Sequence, residues 1–126
     1  MTHELELQLQ SRYPFMTIKG SYCGYQPVRS PMDCQCGDGW YQIIDDLCAG
    51  IMQTLTIQQV TDLYIDQIKE KFGELRFYYS GIHHDLIDNL IDEAILKSKH
   101  TCEICGKEGK LRPDRGWVQT LCDEHA

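Results

Sequence analysis

The sequence predicts an α+β protein: two amphipathic helices with a β-hairpin and a C-terminal zinc knuckle or ribbon. Three observations predict it. Apolar residues recur at three- and four-residue steps in two stretches, a glycine-broken run of β-favouring residues lies between them, and two pairs of metal-ligand residues occupy the C-terminal end. The chain of 126 residues is long enough for one core. We expect an α+β core in residues 1–100, with an irregular loop over 14–37, and a zinc-binding module in residues 101–126 packed on that core.

Residues 2–12 are interpreted as a short helix. Leucines alternate there as in a strand, but the Glu, Gln and Leu content favours a helix, and Thr2 is a suitable N-cap. The helix must end before Pro14, because proline disfavours the α conformation at the preceding residue. Prolines and glycines then follow without sustained periodicity, so residues 14–37 are expected to lie over the core as an irregular segment.

This expected loop contains Cys23, Cys34 and Cys36, which raises the question of a second metal. Cys34 and Cys36 are separated by one residue, whereas metal knuckles usually have two to four between ligands. No obvious fourth ligand follows. Buried thiols are the favoured interpretation, and a second metal stays open as the alternative.

The first amphipathic helix begins at the Gly37-Asp38-Gly39-Trp40 stretch. Asp38 is a natural N-cap, because its carboxylate can accept from the free backbone N–H groups of the first turn. The apolar stripe that follows comprises Trp40, Ile44, Leu47, Ile51 and Leu55. One face of this helix should therefore be buried.

Residues 61–80 predict two strands joined near Gly73, that is, a β-hairpin. The stretch is rich in aromatic residues, namely Tyr64, Phe72, Phe77, Tyr78 and Tyr79. These rings could stack on nucleic-acid bases. Core filling is favoured instead, because the flanking charge is mixed and no basic groove accompanies the rings.

The second amphipathic helix is predicted over residues 82–99. Its apolar stripe leaves an acidic side, formed by Asp85, Asp88, Asp92 and Glu93. Such a face could steer a basic protein partner, and the alternative is a solvated face that only keeps the protein soluble. His83 and His84 at the start are interpreted as polar first-turn residues, because adjacent histidines diverge around a helix axis.

The C-terminal segment carries the strongest signal. Cys102 and Cys105 form one pair and Cys122 and His125 the second, at a spacing typical of zinc modules. Gly106 supplies the backbone freedom that the first turn needs. Four protein ligands leave no position for a catalytic water, so we predict one structural Zn²⁺ per chain. A ribbon-like knuckle or a trimmed treble clef is expected.

Charge argues against a nucleic-acid partner. The formal net charge is −7, which repels a phosphate backbone. The one basic cluster comprises Lys107, Lys110, Arg112 and Arg115, with acidic residues among its members. This cluster supports a zinc-dependent nucleic-acid-binding regulator only as the alternative function.

Three motifs together carry a resemblance to a known family. They are Gly37-Asp-Gly-Trp-Tyr, Lys71-Phe-Gly-Glu-Leu-Arg-Phe-Tyr-Tyr and the Cys102-Glu-Ile-Cys-Gly stretch with its closing Leu121-Cys-Asp-Glu-His. In this order they resemble a family of small proteins encoded in phages and prophages, over roughly residues 34–126. The family has no established activity. The resemblance implies a phage or mobile-element setting and the same four ligands, with no counterpart for Cys23.

These observations together predict a non-catalytic binding protein. No catalytic triad, phosphate loop or workable carboxylate pair is found in the sequence. The phage resemblance adds the expectation of a counter-defence factor acting on a host protein, and a small-ligand sequestering protein is a further alternative. Metal-spaced cysteines fit a reducing compartment, and no apolar run is long enough to span a bilayer. We expect the protein in the cytosol of a bacterial host.

Overall fold

The computed structural model describes residues 1–20, 28–114 and 116–126 and confirms the α+β class. The α-helices in this part of the chain are α1 (His3–Arg12), α2 (Tyr41–Thr54), α3 (Ile57–Asp62) and α4 (Asp85–Ser98). The strands are β1 (Thr17–Gly20), β2 (Val28–Pro31), β3 (Cys34–Gln35), β4 (Tyr64–Lys71), β5 (Glu74–Ser80), β6 (Lys110–Arg112) and β7 (Gln119–Leu121).

The prediction of an irregular loop over residues 14–37 is wrong for the residues that form strands β1, β2 and β3. β1 pairs with β2 in an antiparallel manner, and β3 runs parallel to β4, with Cys34 opposite Ile68. These strands have four, four and two residues, too few for alternation of apolar and polar side chains to show in the sequence. Cys23 lies outside the described residues.

The two expected helix caps do not form as predicted. Thr2 precedes α1 in an extended conformation, but its side chain makes no capping hydrogen bond. Its backbone N–H donates instead to Oδ1 of Asp38, at 2.7 Å. Asp38 therefore does not cap α2. It begins a short 3₁₀ turn that ends at Trp40, and its carboxylate ties the start of α1 to this turn.

The predicted hairpin is confirmed as β4 and β5, which form a three-stranded sheet in the order β3-β4-β5. Phe72 and Gly73 make the turn between them, with φ angles of 54° and 81°. Core filling holds for Phe77, which is buried, and in part for Tyr79, but it is wrong for three exposed rings, Tyr64, Phe72 and Tyr78. Before the hairpin, the unpredicted helix α3 begins with a capping box between Thr56 and Gln59.

The core lies between this sheet and the two predicted amphipathic helices. α2 packs against α4, burying Ile44 and Ile51 on one helix and Ile87 on the other. The hydroxyl of Ser98 accepts a hydrogen bond from the backbone N–H of Leu75 at 3.0 Å, which joins α4 to β5. Among the described residues, no helix is both long enough and apolar enough to cross a membrane.

Candidate metal centre

The C-terminal segment contains two turns, each carrying two of the predicted metal ligands and called the first and second ligand turns. A small antiparallel ribbon joins them. Cys102 and Cys105 lie on the first turn, and β6 and β7 connect it to the second. The N–H of Gly106 donates to the carbonyl of Cys102 at 2.9 Å, and the N–H of Cys102 donates to the carbonyl of Lys107 at 2.7 Å. Gly106 has a φ of 79°, as the tight turn requires.

The ligand atoms of Cys102, Cys105, Cys122 and His125 converge, all within 4.8 Å of one another. The Sγ of Cys105 lies 3.7 Å from the Sγ of Cys122, and Nδ1 of His125 lies 3.7 Å from the Sγ of Cys102 and 3.2 Å from that of Cys122. Zinc bond lengths predict tetrahedral edges of about 3.8 Å between sulfurs and about 3.6 Å between sulfur and nitrogen. This group can hold a metal ion.

Local electrostatics favour the metal-binding form of Cys102. Burial by itself would raise the pKa of this thiol, but backbone N–H groups of Cys122, Cys105 and Ile104 point at the sulfur. Together with a hydrogen bond from the Cys105 thiol, they lower the pKa of Cys102 to about 6. Since a thiolate is the form that ligates metal, Cys102 is the ligand best prepared for a cation. The pKa of Cys105 is raised instead: a backbone N–H group at Lys107 lowers it, but burial and the hydrogen bonds with the thiols of Cys122 and Cys102 outweigh that effect.

The 3₁₀ turn before α2 holds the first ligand turn in place. The N–H of Gly39 donates to the carbonyl of Glu103 at 2.8 Å, and the N–H of Gly37 donates to the carboxylate of the same residue at 2.9 Å. A Cβ on Gly39 would lie 2.2 Å from the carbonyl oxygen of Cys102. The glycines therefore allow a close backbone approach, a role that sequence analysis missed although the Gly-x-Gly pattern signals it.

The β4–β5 turn holds the ribbon from its other side. The hydroxyl of Thr120, fully buried, donates to the carbonyl of Gly73 at 2.6 Å. A Cβ on Gly73 would lie 2.4 Å from Cδ1 of Leu111, so the turn and β6 are in close contact. The candidate metal centre is thus in contact with the core at two separate places.

The acidic residues of α4 differ in their surroundings. Asp88 accepts a hydrogen bond from the hydroxyl of Tyr79 at 2.5 Å, and that bond, helped by His83, lowers the pKa of its carboxyl. Asp92 and Glu93 are exposed and make no ion pair with any described residue. Asp85 is 92% exposed on its side chain. The helix therefore presents an acidic side, with Asp88 partly engaged in the fold.

A second group of possible ligands, His83, Asp85 and Asp88, also lies within 4.8 Å. Nε2 of His83 is 3.0 Å from a carboxylate oxygen of Asp88, a hydrogen-bond distance, and 3.8 Å from one of Asp85. The group is largely exposed and lies at the N-terminus of α4, where the helix dipole opposes a cation. His84 caps this helix, its Nδ1 accepting from the N–H of Leu86. These side chains therefore stabilise the first turn of α4, by capping it and by contacts with one another.

The basic cluster is partly neutralised within the module. Arg112 donates to the carbonyl of Leu121 and to the carboxylate of Asp123 at 2.9 Å, and Lys107 lies 3.6 Å from the carboxylate of Glu124. Lys110 is exposed, and Arg115 lies outside the described residues. Among the described members of the cluster, Arg112 and Lys107 each lie beside a carboxylate and only Lys110 is without an ion pair.

The remaining described thiols, Cys34, Cys36 and Cys48, are buried in the main core. Burial raises the pKa of Cys34 to about 12 and raises the pKa of Cys36 and Cys48 as well. Neither Cys34 nor Cys36 belongs to a group of three ligands among the described residues. A neutral buried thiol packs as a small apolar group, as the favoured interpretation expected.

Comparisons with protein-family models, with curated proteins and with solved structures find no match to this chain.

Proposed function

We propose that this protein is a non-catalytic binding protein whose C-terminal module is held together by one structural Zn²⁺. The observation that carries the proposal is the closed set of four protein ligands at near-tetrahedral distances. Three sulfurs and one imidazole nitrogen form a donor set that suits zinc. With every position taken by protein, a zinc ion there stabilises the fold and has no site for a reacting water.

The partner in this proposal is a protein. The net charge of −7 opposes binding of nucleic acid. Arg112 and Lys107 lie beside carboxylates of the same chain, which weakens the alternative of a nucleic-acid-binding regulator. The acidic side of α4, with Asp92 and Glu93 exposed, would attract a basic surface and raise its association rate. The phage resemblance, the counter-defence role and the bacterial cytosol belong to the same proposal, supported by the three motifs and by the thiol ligands.

Affinity capture from a nuclease-treated bacterial lysate tests this proposal. The bait is the zinc-loaded full-length protein, and the matched bait carries Asp92→Lys with Glu93→Lys. Asp88 is left unchanged because its carboxylate accepts from Tyr79. We expect a protein captured by the first bait in a nuclease-resistant manner, with slower and less salt-dependent association for the second. Capture of nucleic acid alone would refute the proposal and favour the regulator.

One observation favours a second candidate, the small-ligand sequestering protein. A pocket of about 370 Å³ lies between the segment after α1, the C-terminal half of α2, α3 and the start of β4. Its lining includes Phe15, Met52, Val60 and Leu63, with Thr61 as a polar group. Its volume is at the lower end for small-molecule sites, about 300–1,000 Å³. Val60→Trp should fill this pocket and abolish uptake of a small apolar fluorescent probe while the metal stays bound, and unchanged uptake would exclude it.

A further inference from the structure

A cleft between the β4–β5 turn and the loop joining β6 to β7 combines exposed aromatic rings with lysines. Phe72 and Trp117 are each 69% exposed. Together with Lys69, Glu70, Lys71, Gly116 and Val118 they line a cleft of about 310 Å³. Aromatic side chains are the most frequent anchors of protein interfaces, and two of them exposed in one cleft are unusual for a surface that only faces water.

Neither the turn nor the core explains why residue 72 is a phenylalanine. Its φ of 54° belongs to the left-handed region, which asparagine and glycine adopt readily and which costs other residues about 1–2 kcal/mol. Two successive residues with positive φ are typical of the type I′ hairpin turn, where Asn-Gly is preferred. The ring also gains little burial. Such an outlier points to a role outside folding.

The charges around Phe72 favour an anionic ligand. Lys69 and Lys71 lie on the same face of β4, because alternate residues of a strand do, and neither forms an ion pair with any described residue. Nζ of Lys71 lies 5.6 Å from the ring centroid of Phe72, in a cation–π arrangement. The carboxylate of Glu70 accepts from the N–H of Gly73 at 2.8 Å and is thereby used by the turn.

We propose that this cleft docks an acidic peptide segment of the protein partner, a segment distinct from the basic surface that would face the acidic side of α4. One large apolar side chain of the segment lies between Phe72 and Trp117, and its carboxylates lie at Lys69 and Lys71. The inference rests on the proposed function in requiring a protein partner. A single strand of nucleic acid fits less well, because two lysines neutralise only a few of its phosphates.

The test is selection from a display library of random peptides on the zinc-loaded full-length protein. We expect enriched peptides with acidic residues beside one Trp, Phe or Leu. Phe72→Asn should raise the dissociation constant of an enriched peptide about tenfold or more, a typical loss for an interface anchor. Fluorescence anisotropy of the labelled peptide measures it. Because asparagine suits the turn better than phenylalanine, this variant should be at least as stable as the parent, so lost binding cannot be ascribed to unfolding.

Matched variants separate the aromatic contribution from the charge contribution. Tyr78→Ala removes an exposed ring outside the cleft and should leave the anisotropy unchanged. Lys69→Glu with Lys71→Glu should abolish binding, whereas Lys97→Glu on α4 should not. Enrichment of basic peptides, no enrichment at all, or full binding by Phe72→Asn would overturn the proposal. So would tight binding of single-stranded oligothymidylate that Phe72→Asn removes.

The lysate experiment distinguishes failure of this inference from failure of the proposed function. If Phe72→Asn and Trp117→Ala still capture the same protein with unchanged affinity, the partner docks elsewhere and only the cleft proposal fails. If the unaltered protein captures no protein, the proposed function itself fails.

Discussion

The indole Nε1–H of Trp40 donates to the carbonyl oxygen of Thr101 at 2.9 Å. Trp40 is fully buried in the main core, and Thr101 directly precedes the first metal ligand, Cys102. This hydrogen bond therefore connects the start of α2 to the metal centre across sixty-one positions of chain. Folding of the core and folding of the metal-binding module should consequently depend on each other.

Trp40→Phe should destabilise the metal-loaded protein. The substitution removes the donor to the partly buried carbonyl of Thr101 and leaves space beside the smaller ring in the core, a combined loss of about 1–3 kcal/mol. Denaturant unfolding followed by circular dichroism measures it. Trp117→Phe is the matched control, because the Trp117 side chain is exposed. This substitution should change the free energy of unfolding by no more than about 0.5 kcal/mol. Equal effects of the two variants would contradict the role of the hydrogen bond.

Gly39→Ala should weaken metal binding although residue 39 is not a ligand. The added Cβ would lie 2.2 Å from the carbonyl oxygen of Cys102, so the backbone of the first ligand turn must move. Such overpacking costs about 1–3 kcal/mol, and metal affinity should fall with it because binding and folding are coupled. Competition with a chromogenic chelator measures the affinity. Gly116→Ala has open space around its Cβ and should bind metal as the parent does.

Cys102→Ser should abolish stoichiometric metal binding and unfold the C-terminal module. The free energy of metal binding in sites of this kind, about 10–16 kcal/mol near neutral pH, is also folding free energy. Elemental analysis should find one zinc per chain in the parent and none in the variant, with amide resonances of residues 101–126 losing dispersion. Cys48→Ala removes a buried thiol of the core and should keep its metal. A parent protein purified without chelator and free of zinc would refute the zinc assignment.

Tyr79→Phe should raise the pKa of the Asp88 carboxyl towards its ordinary value. The hydroxyl of Tyr79 is the main cause of the lowered pKa in the folded protein. A lowered folded pKa stabilises the protein above the unfolded value of the carboxyl, and this contribution is lost as pH falls through the folded pKa. The variant should therefore lose stability near neutral pH and show a weaker acid dependence below it. An NMR titration of Asp88 checks the shift, and an unchanged pKa would assign it to His83 instead.

Several features could be predicted from the sequence because they depend on local patterns. The helices α2 and α4 have apolar stripes long enough to reveal their period, and the hairpin has a glycine turn between β-favouring runs. The metal ligands were predicted from spacing alone, since two ligands in one tight turn need only neighbouring residues.

Other features lay beyond local patterns. Strands β1, β2 and β3 are too short to show alternation, and they exist because partners elsewhere in the chain complete their hydrogen bonds. Asp38 was expected to cap a helix, yet its carboxylate accepts from Thr2, a competitor that no local pattern reveals. The same holds for Phe72, which propensity places in the core and the turn geometry places outside it.

Residue spacing and propensity are enough to identify the residues that can ligate a metal, the two long helices and the hairpin between them, because these depend on contacts within a few positions. The roles of the glycines and of Trp40 become visible only in the folded chain. The close approach of Gly39 to Cys102, and of Gly73 to Leu111, joins segments far apart in the chain. Such contacts depend on how the segments pack in three dimensions, and neither residue spacing nor propensity encodes that packing.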